Sequence, residues 1–231
     1  MKRVFSTHIL PLILLCWVVL QANAQVTIAY CKLGGGCQFY QTAYSYAEID
    51  GMFNYLGTFE KDKGILVFFR NKQQQDIHYP DRKRGPRELN EYFGGKCEPA
   101  IAKGGMAPFP EAIQPKNGNW SVITAEPVTK NCPAQLTAQL KSVSGLKSGQ
   151  KVFKKPFSPD DLLPEKTPWL SIAPNGYKAF LMTRTAPTFT NTYDFEVVSP
   201  VRITGSLLTQ IRIPNQATCE VRTNFSYQHT P

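Results

Sequence analysis

Residues able to do chemistry are few in this chain. It has three histidines. His8 falls in an apolar leader, and His229 stands near the chain end, where a catalytic side chain is hard to hold in place. His78 is left, and with Cys97 it could form a base and nucleophile pair. In an exported chain, a disulfide cysteine beside a surface histidine is the plainer expectation. Cys31, Cys37, Cys97 and His78 would also suit zinc as three thiolates and an imidazole, but five residues separate Cys31 from Cys37, against about two to four in structural zinc pairs.

Asp160 and Asp161 are sequence neighbours, whereas glycosidase acids face each other across a bound sugar. Helix capping and the helix dipole explain such a pair better. Gly34, Gly35 and Gly36 would let backbone approach a phosphate, but they equally make a flexible loop between two cysteines. The chain has no Gly-x-Ser-x-Gly elbow, His-Glu-x-x-His pair, Gly-Lys-Ser/Thr loop or calcium loop. Neither a catalytic residue nor a cofactor or metal is therefore expected.

The densest basic cluster is Arg82, Lys83, Arg84 and Arg87, close to Tyr79, Tyr92 and Phe93. An anion-binding surface is expected here first; the competing reading is an exposed loop with no partner. Tyr40, Tyr44, Tyr46, Phe53, Tyr55 and Phe59 crowd one stretch. Sugars stack on such rings, but strand-rich cores use the same residues, and core is the expectation. Asn119 with Ser121 and Asn224 with Ser226 fit the N-glycosylation pattern.

The elements that must position these residues begin after an export leader. Lys2 and Arg3 precede an apolar stretch from Ile9 to Leu20, and Ala22 to Ala24 give a small-x-small cleavage pattern. The apolar stretch has 12 residues, short of the roughly 20 that span a bilayer. Cleavage near Ala24 predicts a secreted or periplasmic protein with no transmembrane helix. Of 231 residues, 207 then remain, and removing Lys2 and Arg3 from 26 basic residues leaves 24 against 17 acidic, a formal charge of +7. That balance suits an anionic glycan, a lipid or an acidic protein, with nucleic acid disfavoured by the compartment.

Loss of Cys16 leaves Cys31, Cys37, Cys97, Cys132 and Cys219, an odd number in an oxidising environment. A Cys132–Cys219 bridge would close a long loop, a stabilisation of about 4 to 5 kcal/mol in the chain-entropy model. Either Cys31 pairs with Cys37 or one of them reaches Cys97, and one cysteine is left free or intermolecular.

Residues 99–116 are crowded with proline and glycine and read as a connection. They divide residues 25–98, a smaller β-rich segment, from 117–231, an antiparallel β domain with one clear helix. That helix is expected from Asn131 through Leu136, Leu140 and Val143 to Gly145. The strands after it predict a meander, curved over the helix or partly closed into a barrel, in a mainly β (α+β) fold. A hairpin is expected at Asn175–Gly176 with both residues at positive φ, and a bulge or bend at Gly205. In the N-terminal segment Ser45 and Glu48 resemble a capping box, yet Gly51 argues against a helix. A hairpin of Met52–Phe59 with Ile65–Phe69 is therefore favoured. Gln73–Arg87 reads as exposed loop, followed by a short helix to Phe93.

Together these features point to an exported, non-enzymatic binding or envelope-associated module offering a β-sheet cleft or basic face. A secreted hydrolase with an unusual site and a subunit of a surface assembly are the alternatives.

Overall fold

The computed structural model describes residues 25–103, 112–133, 146–163, 167–183, 188–212, 214 and 217–231. The expected leader, the helix expected after Asn131 and much of the Pro/Gly connection lie outside them. The described residues form a mainly β fold of two sheets.

The first sheet contains β1 (Gln25–Lys32), β2 (Gly36–Ser45), β3 (Ile65–Arg70), β4 (Asp76–Asp81) and β5 (Ile101–Lys103), in the order β4-β3-β1-β2-β5. β1 runs antiparallel to β2 and parallel to β3. Alternation sends Val26, Ile28, Tyr30, Leu66 and Phe68 to one face, and Ala29, Cys31, Ile65 and Val67 to the other. Both faces are buried, as parallel neighbours require. The second face is covered by α3 (Pro86–Tyr92) through Leu89, with Phe93 just after it. Gln73–Arg87 is thus not all loop, since Asp76–Asp81 is an edge strand on β3.

The hairpin expected from Met52 to Phe59 is not formed. Instead α1 (Tyr46–Phe53) and α2 (Thr58–Asp62) carry the chain from β2 to β3. Ser45 Oγ accepts from the Glu48 backbone N–H at 3.4 Å, and Glu48 Oε2 accepts from the Ser45 N–H at 2.8 Å. This capping box satisfies two otherwise unpaired donors and starts the helix. Gly51, which weakens a helix in isolation, is required by packing: a Cβ there would lie 2.8 Å from Phe180 Cζ of the other sheet. The buried Asp50 carboxylate accepts from the Phe59 and Glu60 N–H groups and so caps α2, whose own Gly57 offers no side chain.

The second sheet contains β6 (Gly118–Thr124), β7 (Val128–Lys130), β8 (Gly149–Lys151), β9 (Leu170–Ala173), β10 (Gly176–Met182), β11 (Thr188–Ser199), β12 (Arg202–Arg212) and β13 (Cys219–Thr230). Its order is β8-β6-β13-β12-β11-β10-β9, with β7 also on β13. The meander is antiparallel throughout, but β8 and β9 are separate edges, so the sheet is open and no barrel closes among the described residues. Tyr177, Phe195, Val197, Ile203, Phe225 and Tyr227 form one apolar face, covered by Phe153, Phe157, Leu162 and Trp169. Gly205 is not a bulge, because the ladders run unbroken through Phe195↔Gly205 and Gly205↔Phe225. It makes room for a ring: a Cβ there would sit 2.4 Å from Phe225 Cζ. The β9–β10 hairpin forms, but its turn is Pro174–Asn175, and neither Asn175 nor Gly176 has positive φ.

The sheets share a core in which Leu170 and Phe180 of the second pack among Ile28, Tyr30, Tyr44 and Phe68 of the first, with Ile49 and Met52 of α1. Each fully buried side chain of this kind is worth about 1.5–3 kcal/mol. The Tyr44 hydroxyl donates to the Pro168 carbonyl and accepts from the Phe180 N–H at 3.2 Å. It thereby supplies part of the pairing that the short edge strand β9 leaves unfilled along β10.

Candidate functional site: a cleft of three turns

The parallel neighbours β1 and β3 carry the same series on the face turned to the second sheet. In β1 it is Ile28, Tyr30, Lys32; in β3 it is Leu66, Phe68, Arg70. The register pairs Ile28 with Leu66 and Tyr30 with Phe68. Because the strands are parallel, both series end in a cation at the same sheet end. The Tyr30 and Phe68 rings stack with centroids 5.4 Å apart. The Tyr30 hydroxyl donates to the Ser171 carbonyl at 2.6 Å, fixing β9 above it. Burial pushes this hydroxyl far above the ordinary tyrosine range, with Tyr40 adding to the effect, so it remains a neutral donor.

Three turns surround the end of this series, and each is held in place. The first, between β1 and β2, is closed by the Cys31–Cys37 disulfide and by a Gly35 N–H bond to the Lys32 carbonyl at 2.9 Å. Gly36 has φ 81°, and a Cβ there would meet Asn90 Oδ1 at 2.3 Å, so glycine is required. The second turn joins β3 to β4. Asn71 Oδ1 accepts from the Gln73 and Gln75 N–H groups at 3.0 and 2.9 Å, and the Asn71 N–H bonds the Gln75 carbonyl at 2.9 Å. The third is Pro174–Asn175: Asn175 Oδ1 accepts from the Ile113 N–H at 2.6 Å and its carbonyl from the Val197 N–H at 2.9 Å.

Between the turns lies a cavity of ≈ 470 Å³, within the range of about 300–1,000 Å³ for small-molecule sites. Its apolar wall comes from Tyr30, Leu33, Phe68, Ile172 and Pro174, and its charged lining from Lys32, Arg70, Lys72 and Asp76. Leu33 is 44% exposed. Arg70 is held by Asp76 through Nε and Nη2 at 3.0 and 3.3 Å. Lys32 and Lys72 make no ion pair among the described residues.

A second cavity of ≈ 590 Å³ lies beside the same β9–β10 hairpin and shares Ile172. Asp194, Glu196, Thr204, Ser206 and Asn224 line it. Asp194, Ser206 and Asn224 are cross-strand neighbours on β11, β12 and β13, and the Lys178 ammonium pairs with Asp194. The hairpin therefore contributes to one cavity with excess positive charge and another with carboxylates and neutral polar groups.

No protein-family model, curated protein or solved structure matches this chain.

Of the residues singled out in the sequence, Cys31, Cys37 and the glycines between them build the first turn of this cleft; the basic cluster, the histidines and the other cysteines lie elsewhere. Arg82 pairs with Asp62 at 3.4 Å and Arg87 with Glu91 at 3.0 Å. Arg84 binds Asp81 at 2.6 Å and lies over the Tyr92 ring at 3.9 Å. Lys83 offers its backbone N–H to Asp81 Oδ1 at 3.0 Å. Burial would raise the Asp81 pKa, but the Lys83 and Arg84 N–H groups and the Arg84 guanidinium outweigh it and hold that pKa below the ordinary range.

His78 is on β4, with Nδ1 3.0 Å from the Tyr55 hydroxyl and the Phe53 ring 4.8 Å away. Burial and then Lys178 lower its pKa, while burial takes Tyr55 up to about 12. Cys132 is bonded to Cys219, and Cys97 is free and exposed. The Cys31–Cys37 disulfide removes two thiolates from the zinc set considered above, and no metal-holding group of three or more His, Cys, Asp or Glu occurs among the described residues. Asp160 belongs to a 3-10 turn capped by Ser158, as local capping requires. His229 lies against Trp120, with Nε2 3.2 Å from the Asn117 carbonyl. Sequence reasoning passed over Lys32, Arg70 and Lys72. For Lys32 and Arg70 the available signal was the matched apolar, aromatic, cation alternation of residues 28–32 and 66–70; Lys72, in the turn after β3, lies outside it.

Proposed function

We propose that the protein is an exported, non-enzymatic binding module whose ligand seat is the three-turn cleft. The observation carrying this reading is the cavity of ≈ 470 Å³ between turns fixed by a disulfide, an asparagine side chain and contacts from the second sheet. Fixed walls cost less ordering on binding, so more of the contact energy appears as affinity. Two disulfides fit an oxidising compartment, and no described helix is long and apolar enough to cross a membrane.

Native mass spectrometry of protein secreted by its source and purified without reductant tests this. The expected result is a small-molecule adduct that denaturation releases and that Leu33→Trp, at the cleft mouth, strongly depletes. An adduct unaffected by that substitution, or none at all, counts against the reading. Subunit of a surface assembly is the second reading, favoured by the exposed Cys97 thiol. Disulfide-linked copies on a non-reducing gel, abolished by Cys97→Ser, would support it.

A further inference from the structure

We infer that the three-turn cleft selects an organic anion with an apolar body, its charged group held between Lys32 and Lys72. This rests on the binding reading above and adds the ligand class.

The charge balance carries the argument. Three cations line the cleft against the single carboxylate of Asp76, and that carboxylate is engaged by Arg70. Lys32, at the end of β1, and Lys72, in the β3–β4 turn, remain as the available charges. Each lies in or flanks a turn whose backbone is already fixed, so the two side chains line one cavity by the fold rather than by the ligand. Two cations lining one cavity without an ion pair among the described residues favour a ligand carrying negative charge. The remaining wall, Leu33, Ile172 and Pro174 with the stacked Tyr30 and Phe68, is apolar. A bare inorganic anion would leave that wall wet, and a neutral hydrocarbon would leave two ammonium groups without a counter-ion. An amphipathic anion satisfies both. The adjoining cavity, where Asp194 is paired with Lys178 and Glu196 has no ion pair among the described residues, offers no excess of cations to the same ligand and serves as an internal control.

The test uses two fluorescent probes sharing an aromatic body: 8-anilinonaphthalene-1-sulfonate, an anion, and N-phenyl-1-naphthylamine, which is neutral. Both are titrated into the oxidised protein, and amide chemical-shift changes locate each probe. The sulfonate is expected to bind about tenfold more tightly or better, as charge-assisted contacts imply, with shifts concentrated in the three turns. Lys32→Gln with Lys72→Gln should erase that preference and leave the neutral probe within about twofold. Arg82→Gln with Lys83→Gln should change neither probe. Raising the salt should weaken the sulfonate alone.

Equal binding of both probes in the cleft, unmoved by the lysine substitutions, would overturn the anion assignment and leave the binding-module reading standing. Shifts centred on the Asp194 cavity, or no binding of either probe, would overturn both. Association with phosphatidylglycerol vesicles while neither monomeric probe binds would overturn the cleft ligand in favour of a membrane surface.

Discussion

The Arg82–Arg87 patch and the three-turn cleft are both basic, but they use their charge differently. In the patch three arginines are committed to Asp62, Asp81 and Glu91, so dense positive sequence yields a nearly balanced surface. In the cleft Lys32 and Lys72 are 40 residues apart in the chain, and a register and two turns bring them to one cavity beside apolar side chains. Arg84 and Arg87 find local partners, since helix spacing and short turns put counter-ions within reach, and Arg82 meets Asp62 of α2. Charges gathered by tertiary structure can remain available. Charge density along a sequence is therefore a poor guide to where an anion will be held.

The largest effect should come from opening the cleft. Cys31→Ala with Cys37→Ala removes the short-loop constraint and should cost about 2–3 kcal/mol, read from urea midpoints, with weakened anilinonaphthalene sulfonate binding. Lost stability with unchanged binding would show that the cleft keeps its shape without the disulfide. Next is the patch's own anchor. Asp81→Ala strips partners from two backbone N–H groups and the Arg84 guanidinium, and should cost about 2 kcal/mol with no change in probe affinity. Because the folded pKa of Asp81 lies below its unfolded value, its contribution is present above the ordinary carboxylate range and is lost as pH falls through the folded pKa. The variant's acid unfolding limb should accordingly be shallower.

Asn71→Ala tests the second turn. Losing the side-chain acceptor for Gln73 and Gln75 should cost about 1 kcal/mol, with faster amide exchange confined to residues 71–75 and a several-fold loss of sulfonate affinity. The smallest effect belongs to Arg87→Ala, whose pair with Glu91 is exposed on both sides. Such pairs contribute little, and neither the thermal midpoint nor probe binding should change measurably. A marked loss of anion binding in this variant would reverse the comparison between the two regions.

Local signals were enough for the features whose causes are local. Pro86 and Glu88 start α3, and the Ser45–Glu48 capping box starts α1, although Gly51 weighed the expectation there toward a hairpin. Alternation from Tyr193 to Val197 and from Cys219 to Tyr227 gives the long strands their buried faces. Where expectation and structure part, a distant residue decided. Gly51 tolerates its helix because Phe180 packs on it, and Gly205 continues a strand because Phe225 fills its space. β4 is polar at most positions and is held as a strand by pairing with β3.

By itself the sequence determined which segments carry alternating or capped patterns, the five cysteines beyond residue 24 and the excess of positive charge. Those follow from composition and from interactions within a few residues. Tertiary structure decided that β1 and β3 lie parallel in matched register, that two sheets share one core, and that Lys32 and Lys72 line the same cavity. The physical reason is that strand register and sheet contact are set by side chains far apart in the chain, whose pairing no local pattern encodes.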